Sequence, residues 1–472
     1  MRYVVQIPKT ICALRSSSKA RRQRGRKTLA QPLSRWSSDQ QLADVLGTTF
    51  LISNLCSSTS RYIVIIFLST ISFCSIVLLL APSSFLEKPC GDCDSVPANF
   101  LAGKGWIDDS GNFADARPPG HSLIIIGLKK TSEFTGLTEI SIYRLFNVLM
   151  LASSSVLLFL IARLVWEAGP IWVAPGVWVT CPFSLWFLNQ PYSEIPFFVF
   201  FFSSVLLFLL SYQLVGRRKY FVAFVLGITL AAAMMVRSIA IGLPVIYFLV
   251  WIVTTPRESW RSHATYLAFL TIGVFLVVAP WSYIAYGQTG NLHFLTPPTL
   301  AINGVGSGIS FVTDIDGDRK ELNLSPRVEK LASDILSGFN QIGKNERQKT
   351  NLAAYYKIIL EKASTSPGAA VEFLLIKIAR AWYGTYTHGF EKITRSLQVC
   401  YLGVIIYSMW RIIGYRLLPR RILLLFMAIV FYFWAIAVMF EPLVRYMVPP
   451  LGILFVLLPA LVVKNQYQNN PP

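Results

Sequence analysis

The 472-residue chain is 54% hydrophobic and only 14% charged, and it carries a formal net charge of +19. A soluble core cannot bury so large an apolar fraction, so the composition excludes an ordinary globular protein and predicts an integral membrane protein. The basic residues collect beside the apolar segments, which explains the charge by membrane topology and argues against nucleic acid as a partner.

Ten apolar segments predict an all-α polytopic fold. About 20 mainly apolar residues are needed to cross roughly 30 Å of hydrocarbon. We therefore expect about ten transmembrane helices, although the pairs joined at Pro191 and at Arg237 are alternatively tight re-entrant turns. The predicted segments are 62–82, 141–163, 170–188, 194–215, 219–236, 238–254, 264–282, 396–411, 421–440 and 446–463.

Basic residues mark one side of this membrane domain. Residues 1–61 hold eleven Lys or Arg against two acids, and further basic clusters occupy alternate short connections. The positive-inside rule places this side in the cytoplasm. We predict a basic, disordered cytoplasmic tail at 1–61, a transmembrane domain at 62–463 and a second cytoplasmic tail at 464–472. The expected location is a bacterial inner membrane, with an organellar or endoplasmic reticulum membrane as alternatives.

Two long connections lie on the other, non-cytoplasmic side, at 83–140 and 283–395. Because the cytoplasmic connections after the tail are short, this asymmetry indicates that the two outer loops roof a cavity in which the protein acts. A semi-apolar piece at 118–128 is too short to span, and it predicts an interfacial helix that begins at its prolines.

Carboxylates in the first outer loop are the candidates for catalysis. Asp92, Asp94, Asp108 and Asp109 lie within a short distance of one another in the sequence and beside the membrane. Sugar transfer from a lipid phosphate needs a base for the acceptor hydroxyl and cations for the departing phosphate, whose low basicity makes a general acid unnecessary. The alternative interpretation is that these charges only keep the loop hydrated.

Four motifs occur in order on the outer side. Residues 90–106 precede Ala-Arg-Pro-Pro-Gly-His at 116–121, and Asn-Gln-Pro-Tyr-Ser-Glu follows at 189–194. Ala-Pro-Trp-Ser-Tyr begins at Ala279, and Arg-Tyr-Met-Val-Pro-Pro begins at Arg445. Together they resemble polytopic glycosyltransferases with the GT-C fold, with the protein mannosyltransferase and aminoarabinose transferase group (family 39) as the nearest kin.

The resemblance implies an inverting transferase that uses a polyprenyl-phosphate sugar as donor. In those families an acidic residue early in the first outer loop is the base, which corresponds here to Asp92 or Asp94. An aromatic residue that usually follows it is missing, so both stay open, with Asp108 and Asp109 as the second choice. The acceptor is a glycan, a lipid or a protein, and membrane lipid surrounds the site.

Several charged or polar residues are candidates for substrate binding. Arg117 and Arg445 lie at the outer mouth, where a guanidinium matches a lipid phosphate well. Glu194 and Arg237 sit at outer helix ends, where charges are costly unless they face a cavity or each other as a structural ion pair. The remaining candidates are His121 of the Arg-Pro-Pro-Gly element and Lys377 and Arg380 of a segment that we expect at the membrane interface.

Two alternative functions belong to other classes of protein. A transporter or lipid flippase would need polar groups and broken helices near the membrane midplane, whereas these charges gather at one surface. A non-catalytic GT-C homologue that binds prenyl lipid is the other. The residues define no cofactor, and a divalent metal, Mg²⁺ or Mn²⁺, stays open.

Overall fold

The computed structural model describes residues 37–82, 95–166, 169–189, 191–256, 258–292, 294–296, 304–309, 324–343, 352–385 and 388–463. These residues are helical and contain no strand, although Ile107 and Phe113 form an isolated antiparallel bridge. The helices are α1 (Ser37–Leu80), α2 (Ser95–Leu101), α3 (Pro119–Thr135), α4 (Glu139–Val165), α5 (Val173–Thr180), α6 (Pro182–Leu185), α7 (Glu194–Ser211), α8 (Arg217–Val236), α9 (Leu243–Thr254), α10 (Trp260–Thr289), α11 (Pro326–Gly343), α12 (Leu352–Thr365), α13 (Pro367–Tyr383), α14 (Glu391–Tyr415), α15 (Arg420–Met439) and α16 (Val444–Phe455).

Seven helices in the described part of the chain are long and apolar enough to cross a membrane. They are α1 over its segment Thr59–Leu80, and α4, α7, α8, α10, α14 and α15. Each overlaps one of the predicted segments. The prediction of an all-helical, multi-pass membrane protein is thereby confirmed.

The count of ten spans is not confirmed, because three predicted segments form shorter helices. Segment 170–188 divides into α5 and α6 at Pro182, whose ring cannot continue the preceding helix. Segment 238–254 begins with the 3₁₀ helix Ser238–Gly242 before α9, and 446–463 ends with the 3₁₀ helix Leu458–Leu461 after α16.

The chain divides into two units, Met1–Arg61 and Tyr62–Pro472. Helix α1 begins at Ser37, within the residues assigned to a disordered tail. Residues 1–36 and the tail at 464–472 lie outside the described residues.

The centre of the bundle is built around α7 and α8. Helix α7 is the most buried of the seven spans, with Phe197, Phe201 and Phe208 inaccessible to solvent. Helix α8 crosses α10 at two glycines, Gly227 and Gly273, where a Cβ atom on either residue would overlap backbone of the facing helix. Small residues permit such close backbone approach in membranes. Helix α8 also packs against α7, and the end of α8 lies beside the start of α7.

One end of the bundle collects the basic connections. Lys219 in the first turn of α8 bonds both carboxylate oxygens of Glu258, at 2.7 and 2.6 Å. The Tyr212 hydroxyl lies 2.6 Å from that of Thr254, and the Arg421 guanidinium stands over the Tyr212 ring at 5.2 Å. The connections that follow α7, α9 and α14 are therefore neighbours in space.

The second long connection is largely helical where it is described. Helix α10 continues to Thr289 and α14 begins at Glu391. Between them, α11, α12, α13 and a helical turn at 304–309 enclose a second apolar core, which we call the outer unit. Its buried members include Val305, Ile309, Leu331, Ile335, Phe339 and Tyr355.

Candidate functional site

Three helix termini meet at the end of the bundle away from the basic connections. Helix α7 begins with Glu194, and α16 begins with Val444 and Arg445. Helix α8 ends at Val236, so that Arg237 has an extended backbone with φ −145° and ψ 120°. A 20-residue helix is about 30 Å long, which separates this site from Lys219 at the start of α8 by the thickness of a membrane.

The side chains at these termini form a buried charge cluster. The Arg445 Nε lies 2.8 Å from Glu194 Oε1, and Arg237 Nη1 pairs with the same oxygen. The Glu194 side chain is 0% exposed, that of Arg237 10% and that of Arg445 18%. Two guanidiniums thus share one carboxylate, and the three groups together carry one net positive charge. We call them the two-arginine cluster.

Aromatic rings hold both guanidiniums in place. The Tyr446 ring centre lies 5.4 Å from the Arg237 guanidinium carbon and 5.6 Å from that of Arg445. The Phe197 ring contacts Arg237 from another side, at 6.0 Å. Cation–π contacts gain strength when they are desolvated. The Tyr446 hydroxyl in turn donates to Glu441 Oε2 at 3.0 Å.

The interruption of the helix after α8 is stabilised by hydrogen bonds to one side chain. The Tyr432 hydroxyl donates to the Ile239 carbonyl at 2.5 Å and accepts from the Gly242 amide at 2.9 Å. These bonds satisfy backbone groups that the short 3₁₀ helix leaves open. The break is therefore a defined structure that presents Arg237 to Glu194.

The Arg-Pro-Pro-Gly element packs beside the cluster. A Cβ atom on Gly120 would lie 2.6 Å from the Met235 carbonyl oxygen in the last turn of α8. Glycine is needed for this approach. The start of α3 therefore contacts the backbone at Met235, two positions before Arg237 in the sequence. Helix α3 begins at Pro119, as predicted. His121 is half-buried in its first turn, and Arg117 is exposed just before it.

The described carboxylates of the first outer loop occupy a tight turn. Asp108 Oδ1 accepts from the amides of Ser110 at 2.9 Å and Asn112 at 3.0 Å. The Asn99 side-chain amide braces the same turn by donating to the Ile107 carbonyl at 3.1 Å. Asp109 is exposed at the tip. Asp108 thus stabilises the turn, whereas Asp92 and Asp94 lie outside the described residues.

An aromatic stack joins this turn to α10. The rings of Trp106 and Phe113 each lie 5.7 Å from that of Trp281, and Trp281 Nε1 donates to the Leu295 carbonyl at 3.1 Å. Two motifs that are far apart in the sequence, the first-loop motif and the Pro-Trp motif, are therefore in direct contact.

Lys377 and Arg380 point into the protein. Lys377 Nζ donates to the carbonyls of Phe440 at 3.1 Å and Met439 at 3.4 Å, which caps the end of α15. Burial lowers the pKa of Lys377 to about 8, against the opposing effect of Glu441. Arg380 is 1% exposed and pairs with Glu391 at 2.5 Å. Both cations have protein partners, so the expected reach of this segment toward lipid phosphates is not seen.

Two residues of the site, Glu441 and Tyr446, were not among the predicted site residues. The sequence pattern that could have indicated them is Glu-Pro-Leu-Val-Arg-Tyr, in which a carboxylate lies four positions before Arg445 and an aromatic residue directly follows it. Within the described ranges, no three His, Cys, Asp or Glu side chains are grouped so as to hold a metal ion.

No family model, curated protein or solved structure matches this chain. The fold and the site define an all-helical, multi-pass membrane protein with a buried two-arginine cluster at one end of its bundle.

Proposed function

We propose that the protein is an inverting glycosyltransferase that moves a sugar from a polyprenyl-phosphate donor to an acceptor at the non-cytoplasmic membrane face. The observation that carries the proposal is the pair of guanidiniums, Arg237 and Arg445, that Glu194 holds side by side at the membrane end opposite the basic connections. A lipid-linked donor presents its phosphate at this depth, between the hydrocarbon and water.

The cluster has the chemistry of a phosphate site. Guanidinium groups bind phosphate through charge-assisted, paired hydrogen bonds, and their charge persists at any physiological pH. The Glu194 carboxylate and the Tyr446 ring orient the two guanidiniums before the ligand arrives. As the glycosidic bond to phosphate breaks, negative charge grows on the leaving oxygen, and a preorganised cation stabilises it.

The base in this proposal is a carboxylate of the first outer loop. It removes the proton of the acceptor hydroxyl as that oxygen attacks the anomeric carbon, and direct displacement inverts the configuration. Asp92 and Asp94 are the first choice by the family resemblance. Asp109, exposed on the turn that packs against Trp281, is the better placed of the two described candidates because Asp108 already bonds two amides.

The same proposal includes the finer topology. The three shorter elements, α5 with α6, the 3₁₀ helix with α9, and α16 with its following turn, complete ten crossings of a GT-C-like domain. Both outer loops then lie on the non-cytoplasmic side of a bacterial inner membrane, with organellar or endoplasmic reticulum membranes as alternatives.

An assay of the purified protein in nanodiscs tests the proposal. A panel of polyprenyl-phosphate sugars is offered with glycan, lipid and peptide acceptors, with and without Mg²⁺ or Mn²⁺, and the released polyprenyl phosphate is measured. We expect turnover with one donor class and its loss in Arg445→Ala. Movement of the intact donor between leaflets without release of phosphate would favour a flippase instead. Donor binding with neither activity would favour a non-catalytic lipid-binding homologue.

A further inference from the structure

Four residues between α15 and α16, the 440–443 connection, receive contacts from the outer unit. The Lys377 ammonium of α13 donates to the carbonyls of Met439 and Phe440. The Val444 amide, directly after the connection, donates to the Gly384 carbonyl at the end of α13, at 2.9 Å. The outer unit and the start of α16 are therefore joined by direct hydrogen bonds.

Three glycines allow the outer unit to approach the 440–443 connection closely. A Cβ atom on Gly308 would overlap the Phe440 carbonyl oxygen, and one on Gly384 would overlap that of Pro442. Gly304 faces the Phe440 ring, where an added Cβ would lie 2.9 Å from the nearest ring carbon. The glycines at 304 and 308 lie in a helical turn that abuts this connection.

Both ends of the connection are packed. Phe440 packs against the buried residues of the outer unit, while Leu443 is 1% exposed and directly precedes α16. Arg445 follows two residues later. Because Val444 alone separates the connection from Arg445, a displacement of the connection reaches Arg445 through a single residue.

We propose that Lys377 is a positioning residue for Arg445, and that the 440–443 connection transmits the state of the outer unit to the anion site. Lys377 acts through the two carbonyls at the end of α15 and does not touch the anion. This inference deepens the proposed function and rests on it for the identity of the anion as a lipid phosphate. An acceptor that binds the outer unit would thereby change the affinity for the donor.

The physical basis is the geometry that phosphate recognition requires. A paired guanidinium–phosphate contact tolerates little displacement, and coupling between sites is typically worth about 5- to 150-fold in affinity. Lys377 also faces Glu441, whose carboxylate holds the Tyr446 hydroxyl. Removal of the ammonium therefore disturbs both the backbone before Arg445 and the ring against its guanidinium.

The test compares two buried lysines at opposite ends of the bundle. Lys377→Met removes the donor to the 440–443 connection, and Lys219→Met removes a lysine that is 8% exposed and bonded to Glu258 at the other end. Binding of polyprenyl phosphate to each protein in nanodiscs is measured by native mass spectrometry. We expect Lys377→Met to weaken binding by on the order of tenfold, Lys377→Arg to restore part of it, and Lys219→Met to bind as wild type does.

Equal affinity of Lys377→Met and wild type, or equal losses in both Met variants, overturns the inference. Lys377→Gln, which can still donate to one carbonyl, replaces the Met variant if that variant does not fold, and a smaller loss is expected. If wild type binds no polyprenyl phosphate, that result contradicts the proposed function, and the coupling is tested separately. The coupling is then decided by unfolding temperatures of the single and double variants at 377 and 445: non-additive shifts support it and additive shifts overturn it.

Discussion

The two ends of α8 carry buried charge in different proportions. At its start, Lys219 meets one carboxylate, Glu258, and the Ser262 hydroxyl at 3.0 Å. Just beyond its other end, Arg237 shares Glu194 with Arg445. The first carboxylate holds one cation, and the second holds two.

The partners at the two ends differ. Lys219 pairs with Glu258 and has the Ser262 hydroxyl beside it, and Arg380 pairs with Glu391 in the same one-to-one way. Glu194 instead holds two guanidiniums side by side, an arrangement that suits the several oxygens of a phosphate. In our proposal, this second arrangement is the anion site.

The largest effect is expected from removing the carboxylate at each end. Glu194→Gln removes the carboxylate that two guanidiniums share, so we expect the free energy of unfolding to fall by about 3–5 kcal/mol. Glu258→Gln should cost less, about 1–2 kcal/mol, because it affects one cation that keeps the Ser262 hydroxyl as a partner, and because water reaches the site past Glu258, which is 29% exposed. Denaturant titrations of both variants in matched micelles measure the two values. Similar losses would remove the distinction between the two ends.

The pH dependence of stability distinguishes Lys377, at the outer unit, from Lys219, at the other end of the bundle. Because the pKa of Lys377 is lowered to about 8, the unfolded chain binds more protons than the folded one between that value and about 10.4. Wild type should therefore become more stable, relative to Lys377→Met, as the pH rises through this window, by on the order of 3 kcal/mol. The contribution is lost again as the pH falls through about 8.

Lys219→Met is the control for this titration, since it also removes a lysine but not the one at the outer unit. Unfolding is followed at a series of pH values for all three proteins. A constant difference between wild type and Lys377→Met across the window would show that Lys377 titrates normally.

A loss of turnover is expected from the base. Asp92→Asn or Asp94→Asn, and not both equally, should reduce the transfer rate by at least about 10²-fold while donor binding survives. Asp115, a carboxylate of the same loop that the family resemblance does not assign as the base, is the control: Asp115→Asn should change the rate little. Rates are measured at saturating donor and acceptor. Normal rates in both early variants with a collapse in Asp109→Asn would assign the base to the turn on Trp281. Normal rates in the Asn variants of all four candidates, Asp92, Asp94, Asp108 and Asp109, would end the proposal of a base in this loop.

The smallest effect is expected from conservative change within the two-arginine cluster. Arg445→Lys keeps the charge but replaces a paired contact with a point charge, so donor affinity should fall only by several-fold. Arg445→Ala should lose more, about 10- to 100-fold, since hydrogen bonds to charged groups contribute about 1.5–3 kcal/mol. Binding isotherms in nanodiscs give both values. Equal affinities of wild type and Arg445→Ala would make Arg445 structural.

The spans and the position of α3 could be predicted because hydropathy and proline placement are local signals. Segments 194–215 and 219–236 formed helices close to their expected bounds, and Pro119 begins its helix. The ion pair of Glu194 with Arg237 was among the expectations. Its extension to Arg445 was not, because α16 reaches the cluster only through tertiary packing.

The direction of Lys377 and Arg380 could not be predicted for a physical reason. An amphipathic helix with cations near a membrane has the same sequence pattern whether those cations reach lipid phosphates or cap a neighbouring helix. The deciding partners, the carbonyls of Met439 and Phe440 and the carboxylate of Glu391, are distant in the sequence or carry no side-chain signal.

The central claim is that the two-arginine cluster binds a lipid phosphate. A photoreactive polyprenyl phosphate, cross-linked in nanodiscs and mapped by peptide mass spectrometry, tests it most directly. We expect the label at the start of α7 and the start of α16, with competition by unlabelled polyprenyl phosphate and loss of the label in Arg445→Ala. Label at the Lys219 end of the bundle, or label at the cluster that persists in Arg445→Ala, would contradict the claim.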